Sequence, residues 1–393
     1  MKLDMRGRVG PLTGADRCLA RAAAERLAKL LIPVIISGCV TASDPLGAQE
    51  LREKIRLPKG FRIAVFAKGL RRKPRFMAFD AKGNIYVTLA RSGRVAVLPD
   101  RNKDGRADSV IPFATGLRSP HGIDIRDGWV YIGETGGVVR LKDLDGDLRA
   151  DLKERVVRGL PTGGHWTRTV RFGPDGRLYV SVGSSCNVCV ETDPRRAAVV
   201  RYAPDGRGEE VFASGLRNSV GIAWRPGTNE LWAVNNGRDW LGDNLPPEEI
   251  NIVRPGRHYG WPYCYGNRVP DAKYGRKDFC ARKTEPPVFK MQAHSAPLGL
   301  AFYTGKMFPA DYRGDLFIAF HGSWNRTVPT GYKVVRVRIR DGKPAGIEDF
   351  ASGWLDGFKV HGRPTDVIVG PDGALFVSDD GTDRIYRISY APR

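Results

Sequence analysis

Apolar and polar positions along this chain fall into short alternating runs broken by glycine. Six segments share one layout. They are "FMAFDAKGNIYVT" (Phe76–Thr88), "GIDIRDGWVYIG" (Gly122–Gly133), "TVRFGPDGRLYVSVG" (Thr169–Gly183), "GIAWRPGTNELWAV" (Gly221–Val234), "GLAFYTGKMFPADYRGDLFIAF" (Gly299–Phe320) and "DVIVGPDGALFVS" (Asp366–Ser378). Each reads as an apolar strand, a Gly-containing turn and a second strand with an aromatic or aliphatic pair, the pattern of a β-hairpin. The first three copies recur about 46 residues apart, and the later spacings are longer. Insertions therefore lie between the fourth and sixth copies. Helical periodicity is nearly absent after the N-terminal region.

An isolated hairpin is not stable in water. Repeated hairpins must bury their faces on one another, and radial stacking of four-stranded sheets does this. The pattern predicts an all-β fold, a six-bladed β-propeller over residues 57–393. The regular repeat argues against a β-sandwich. "FRIAVFAKGL" (Phe61–Leu70) lacks a blade of its own. It is expected to close the ring as an outer strand beside "RIYRISY" (Arg384–Tyr390).

A second regularity precedes each inner strand: "GLRRKPRFMAF", "GLRSPHGIDI", "GLPTGGHWTRTVRF", "GLRNSVGIAW", "QAHSAPLGLAF" and "VHGRPTDVIV". In a propeller these segments converge on one face near the axis. They would bring together Arg75, His121, His165, Arg168, Asn218, His294 and Arg363, with His258, His321 and His361 in nearby loops. A single histidine is more often structural than catalytic. A ring of His and Arg suits an anionic ligand and proton transfer, because imidazole titrates near neutrality and guanidinium grips carboxylates. The insertion after the fourth hairpin adds Asp239, Asp243, Glu248 and Glu249. These acids either hold Ca²⁺, which takes oxygen ligands, or cap loops beside arginines. "DRNKDGRAD" and "DLDGDLRAD" imitate part of an EF-hand loop without its final Glu or flanking helices, and read as Asp-rich outer turns.

Composition narrows the partners. The chain has 393 residues, 41% of them hydrophobic, and a formal net charge of +20. No dense Lys/Arg tract or nucleic-acid motif accompanies that charge, so it reads as a basic solvated surface with no nucleic-acid partner. Arg17, Arg21, Arg26 and Lys29 precede the apolar run Leu30–Ile36 and then "ISGCV". This is the form of an export signal, too short to span a membrane stably. Residues 1–38 are expected to be removed, Cys39 to carry lipid, and 39–56 to form a short linker. The long polar start, 1–28, is consistent with an initiation codon placed too early. The expected location is the periplasm, with a membrane anchor at Cys39. Cys186, Cys189, Cys264 and Cys280 then remain in an oxidising compartment, where an even number implies disulfides. Three pairings are open; the local one, Cys186–Cys189 with Cys264–Cys280, is expected. Zinc is disfavoured because "CNVC" has no second CxxC.

From about Leu57 onward the chain resembles the soluble quinoprotein sugar dehydrogenases that use pyrroloquinoline quinone (PQQ), and the related sorbosone-dehydrogenase-like proteins. "LRNSVGIAW", "EEINIVRPGRHYGWPYCYG" and "GRPTDVIVGPDG" carry the resemblance. It implies a six-bladed propeller with PQQ and Ca²⁺ on the axial face, oxidising a sugar or related hydroxy-aldehyde and passing electrons to a quinone or cytochrome. By resemblance, His165 is the base and Arg168 stabilises charge on the reducing quinone. Asn218, Arg363 and Lys333 contact PQQ, and Gly237 and Arg238 offer main-chain carbonyls to Ca²⁺. Arg75 occupies a position that is often Gln; His121 and His294 complete the expected cofactor wall. Two departures stand out. Thr365 replaces a second arginine, and the metal turn reads Gly-Arg instead of Gly-Pro. A Ca²⁺-dependent lactone hydrolase and a non-catalytic ligand-binding propeller are the alternatives. Palmitate is expected to label the wild-type chain and not Cys39→Ala; a labelled variant would remove the anchor.

Overall fold

Strands rich in Val, Ile, Leu and aromatics form because a propeller covers most of them on both faces. The second strand of five blades is buried at every position: Ile85–Leu89, Leu178–Val182, Leu231–Asn235, Leu316–Phe320 and Leu375–Asp379. Outer strands such as Leu152–Arg158 are largely exposed and carry charges. The structure, a computed structural model, describes residues 54–71 and 73–392. The expected export signal, Cys39 and nearly all of the linker lie outside the described residues.

Six antiparallel sheets of four strands each form the propeller, the third widened by a further strand. Their inner strands are Pro74–Phe79, Ile123–Arg126, Arg168–Phe172, Ile222–Trp224, Pro297–Phe302 and Pro364–Val369. The ring closes as expected: Phe61–Ala67 pairs with Arg384–Tyr390, Phe61 opposite Tyr390. Phe61 then packs edge-on against Phe308 at 4.7 Å and Phe350 at 5.0 Å, so the first strand locks onto the fifth and sixth blades. Each such ring pair contributes about 0.5–1.5 kcal/mol beyond its buried area.

Small polar groups stitch neighbouring blades together. Thr88 Oγ1 donates to the His121 carbonyl at 2.7 Å and Ser378 Oγ to the Arg75 carbonyl at 2.6 Å. Ser181 makes the same bond to the Ser219 carbonyl. Thr88 and Ser378 also accept the N–H of Phe76 and of Asp366, both at 3.1 Å, where the inner strands bulge. Gly133 occupies the equivalent place in the second blade. A Cβ there would lie 2.1 Å from the Arg168 carbonyl, so only glycine permits the approach. Two buried aspartates do similar work: Asp366 accepts Met77 N–H at 2.9 Å and Asp124 accepts Phe172 N–H at 2.8 Å.

The insertion after the fourth hairpin laces the third and fourth blades. Arg257–His258 adds a parallel strand to the outer edge of the third blade, beside Ala213 and Ser214. The short helix Lys277–Lys283 follows, held by the Cys264–Cys280 disulfide. Cys186–Cys189 forms the other bridge, so the local pairing is the observed one. In the outer turns, Asp100 and Asp143 accept backbone N–H groups of their own loops, as Asp-Gly turns do.

Ser378→Ala leaves the buried Arg75 carbonyl and Asp366 N–H without a partner. We expect it to lower unfolding free energy by about 1–3 kcal/mol. Denaturant titration checks this, and an unchanged midpoint would show the stitch to be dispensable.

Candidate active site

The glycine-rich segment before the third inner strand is not free to wander. Arg168 sits fully buried at the strand's start and points back into the loop. Its Nη1 donates to the carbonyls of His165 at 2.9 Å and Thr167 at 2.6 Å, and its Nη2 to Pro161. Arg196 reaches the same loop from the turn before Ala198–Tyr202, donating to Gly163 at 2.9 Å and to Thr162. Two buried guanidiniums thus hold five carbonyls of residues 161–167. The Arg168 side chain shapes the loop that presents His165, and its hydrogen bonds go to that loop.

His165 is half-buried, with its ring fixed at one nitrogen. Nδ1 lies 3.1 Å from the Ser184 carbonyl and 3.0 Å from Ser184 Oγ. The Ser184 hydroxyl gives its own proton to the Cys186 carbonyl at 2.7 Å, so both groups facing Nδ1 are acceptors. Nδ1 therefore carries the N–H, and Nε2 keeps its lone pair. Burial, then the positive charges of Arg217, Arg168 and Arg196, push the imidazole down to about 4. At neutral pH it is the free base.

Arg217 is the neighbour that sequence reasoning missed. It is buried, and all five of its N–H groups are satisfied. Nε donates to the Asn187 carbonyl at 2.9 Å, and Nη2 to Asn187 Oδ1 and Asp239 Oδ2, both at 3.0 Å. Nη1 donates to the carbonyls of Gly237 at 2.7 Å and Asn236 at 3.3 Å. Asn187 lies inside the Cys186–Cys189 ring and also accepts Asp239 N–H at 2.8 Å. One small disulfide loop therefore braces Arg217, Asp239 and, through Cys186 and Ser184, His165. Asn218 lies beside His165 across Gly183: a Cβ on that glycine would come 2.6 Å from both side chains.

The remaining expected residues form a second network. Asp380 accepts from Arg75 at 2.6 Å and from His321 at 2.8 Å. The His321 and Gly322 carbonyls accept from Arg363 at 3.2 and 3.1 Å. Arg75 also lies 3.4 Å from His121 and faces the Trp166 ring. His121 is fully buried between Phe76 and Trp166, and burial first, then Arg75, holds it well below its usual range. It is a neutral packing element. Thr365 is buried and donates to the Arg363 carbonyl at 3.1 Å. His294 stands outside both networks, its Nε2 2.9 Å from the Gly242 and Leu245 carbonyls. Lys333, at the start of a fifth-blade strand, pairs with Asp349 at 2.6 Å.

The expected metal residues do not gather as ligands. Asp239 faces Arg217 and Asn325, and Arg238 pairs with Asp271 at 2.8 Å. Glu248 accepts Gly237 N–H at 2.8 Å, and Glu249 accepts Gly266 N–H at 2.7 Å. Burial raises both acids, Glu248 to about 8. These carboxylates cap backbone. What the turn still offers a cation is the main-chain oxygen of Arg238, since the Gly237 carbonyl accepts from Arg217 at 2.7 Å.

Arg217 belongs to "GLRNS", and Arg118 and Arg71 share the same "GLR" triplet, so the residue reads as scaffold. Only the fold shows that this copy meets the disulfide loop. Asn187→Ala should loosen Arg217 and lift the His165 pKa from about 4 toward 6.5. NMR titration of the ring protons measures it; an unmoved pKa would separate Asn187 from the site.

Three comparisons place this geometry. An uncharacterised protein of Borreliella burgdorferi is 32% identical over 368 residues, covering 89% of this chain and 94% of its own. A pyrroloquinoline quinone-dependent pyranose dehydrogenase of Coprinopsis cinerea is 28% identical over 343 residues, 74% of this chain; the match spans 46% of that enzyme. The calcium structure of a Trichoderma reesei carbohydrate-active enzyme of family AA12 superposes with a TM-score of 0.76 at 22% identity, over 86% of this chain and 97% of that one. That likeness establishes the shared fold. The TrAA12-like profile matches residues 55–391, and the chain belongs to the TrAA12-like family.

Proposed function

We propose that this chain is a PQQ-dependent oxidoreductase that oxidises a sugar or related hydroxy-aldehyde, with His165 as general base. One observation carries the reading: a neutral imidazole tethered at Nδ1, with Nε2 unbonded among the described residues, on the face where the six inner strands begin. A base must be unprotonated at working pH and aimed by a second group, and His165 meets both conditions.

The residues fit a flat polyanionic cofactor. Gly183 keeps open the gap between His165 and Asn218 that a Cβ would fill. Arg75, Arg363 and Arg217 supply positive charge around it, and Lys333 stands at the start of a fifth-blade strand, paired with Asp349. PQQ, when bound, supplies the two-electron redox chemistry, with Ca²⁺ as its companion ion. The Arg238 carbonyl would hold the cation; the Gly237 carbonyl expected beside it already accepts from Arg217 at 2.7 Å. Asn218 and Arg363 would hold PQQ, and Arg75 lies beside them. His165 Nε2 would take the proton of the substrate hydroxyl, and PQQ, when bound, would supply the acceptor for the two electrons. Burial first, and then Arg217, fixed on Asp239, keep His165 neutral, and the Arg217 charge favours negative charge developing nearby. A quinone or cytochrome is the electron acceptor in this reading. The protein works in the periplasm, lipid-anchored at Cys39. The relatives' names and the shared family support the sugar and the cofactor. The lactone-hydrolase alternative loses its metal set, since Asp239, Glu248 and Glu249 each already face a donor.

Apo-protein titrated with PQQ and Ca²⁺ is expected to change absorbance and then reduce an artificial acceptor when given an aldose. No PQQ-dependent change and no dye reduction would overturn the reading. His165→Ala should lose about 10²–10⁴-fold in kcat. In the wild type kcat/KM should fall with acid through a pKa of about 4, because only the free base accepts the proton.

A further inference from the structure

Two tryptophans on the axial side stand mostly in water. Trp240 is 68% exposed and Trp324 65%, and their rings meet edge-to-face with centroids 5.2 Å apart. Scattered single apolar residues on a surface need no explanation, but two large rings in contact, at the lip of a polar site, do. Trp240 adopts φ 70, a left-handed conformation that bulky residues rarely take. The loops that carry the pair are tied to each other: Asn325 donates to Asp239 Oδ1 at 3.1 Å, Thr327 N–H to Asp243 at 3.0 Å, and Arg326 to the Asp243 carbonyl. Asp239 is the partner of Arg217. The pair is therefore one residue away from the group that tunes His165.

We propose that Trp240 and Trp324 form a second sugar subsite, which takes a pyranose ring joined to the unit being oxidised. An edge-to-face pair leaves an indole face uncovered, and the C–H face of a pyranose packs on such a surface while its hydroxyls stay solvated. The Asn325 amide and the Asp243 carboxylate flank the rings and can meet those hydroxyls. The subsite cannot take the reacting ring. The reacting hydroxyl must face His165 Nε2, whereas the tryptophan loops are anchored on Asp239 and Asp243 and the two rings pack on each other. The substrate class that uses both positions is a disaccharide or longer glycan presented by one end. This inference rests on the sugar-oxidising reading above.

The test compares cellobiose with glucose, in the full-length protein loaded with PQQ and Ca²⁺. Calorimetric titration and dye-linked kinetics are run on wild type, Trp240→Ala and Trp324→Ala, with circular dichroism to confirm folding. The expected result is that wild type prefers cellobiose, and that either variant lowers the cellobiose-to-glucose ratio of kcat/KM about tenfold, chiefly through KM. Trp324→Phe, which keeps an aromatic face, should restore most of the ratio. An unchanged ratio in both alanine variants overturns the proposal. So does a defect confined to reduction of a protein acceptor, which would assign the rings to acceptor docking. Calorimetry separates this from the parent reading. Wild type that binds cellobiose through these tryptophans yet oxidises no sugar would leave the subsite standing and remove the dehydrogenase.

Discussion

Arg217 is the contact on which the site depends. A buried guanidinium is tolerated only when its charge is paired and its donors are satisfied. Here each of its five N–H groups finds an oxygen, and each oxygen belongs to a segment that must be placed. Two of those oxygens are on Asn187, in the disulfide loop of the third blade. The others are on the Asn236–Asp239 turn of the fourth. Burial first, and then this same charge, keep His165 unprotonated. Holding two loops and setting a proton affinity are therefore one interaction seen from two sides, and the first cannot be weakened without disturbing the second.

The rest of the axial face repeats this economy with other residues. Arg168 and Arg196 shape one loop from beneath. Asp380 gathers Arg75 and His321, and Arg363 is aligned by the carbonyls of His321 and Gly322. Several cations of one sign lie close together, yet most of their donors end on main-chain carbonyls, which bring no full negative charge. The face stays electropositive while its arginines stay ordered. Arg75, Arg217 and Lys333 are each held by a carboxylate, and Arg363 by carbonyls alone, so Arg363 meets an anion without an ion pair to break.

The propeller was legible because each blade repeats a hairpin whose apolar runs match its double burial; Ile85–Leu89 and Leu178–Val182 are examples. The ring closure by Phe61–Ala67 was legible for the same reason, as a strand without a blade. The axial location of His165 and Asn218 followed from the repeat. Their neighbours did not. Asn187 is distant from Asp239 in sequence and meets it only across two blades. Arg168 sits in a polar segment beside a histidine, and nothing in the pattern says whether its side chain turns outward or back. The acids at Asp239, Glu248 and Glu249 look alike as letters. Backbone N–H groups, invisible in a sequence, make Glu248 and Glu249 turn caps, while Arg217 and Asn325 take the Asp239 carboxylate.

Ring closure also orders events in time. Phe61–Ala67 emerges early in synthesis, but its partner, Arg384–Tyr390, is among the last segments to appear. Until then the first strand has no ladder, and Phe61 has no Phe308, Phe350 or Tyr390 to rest on. Contacts of such long sequence separation form late because the loop they close is long. The chain must keep one apolar strand unpaired until the blades between it and Arg384–Tyr390 have been made. The charged neighbours Lys59, Arg62 and Lys68 lie where a waiting strand gains most from repelling copies of itself.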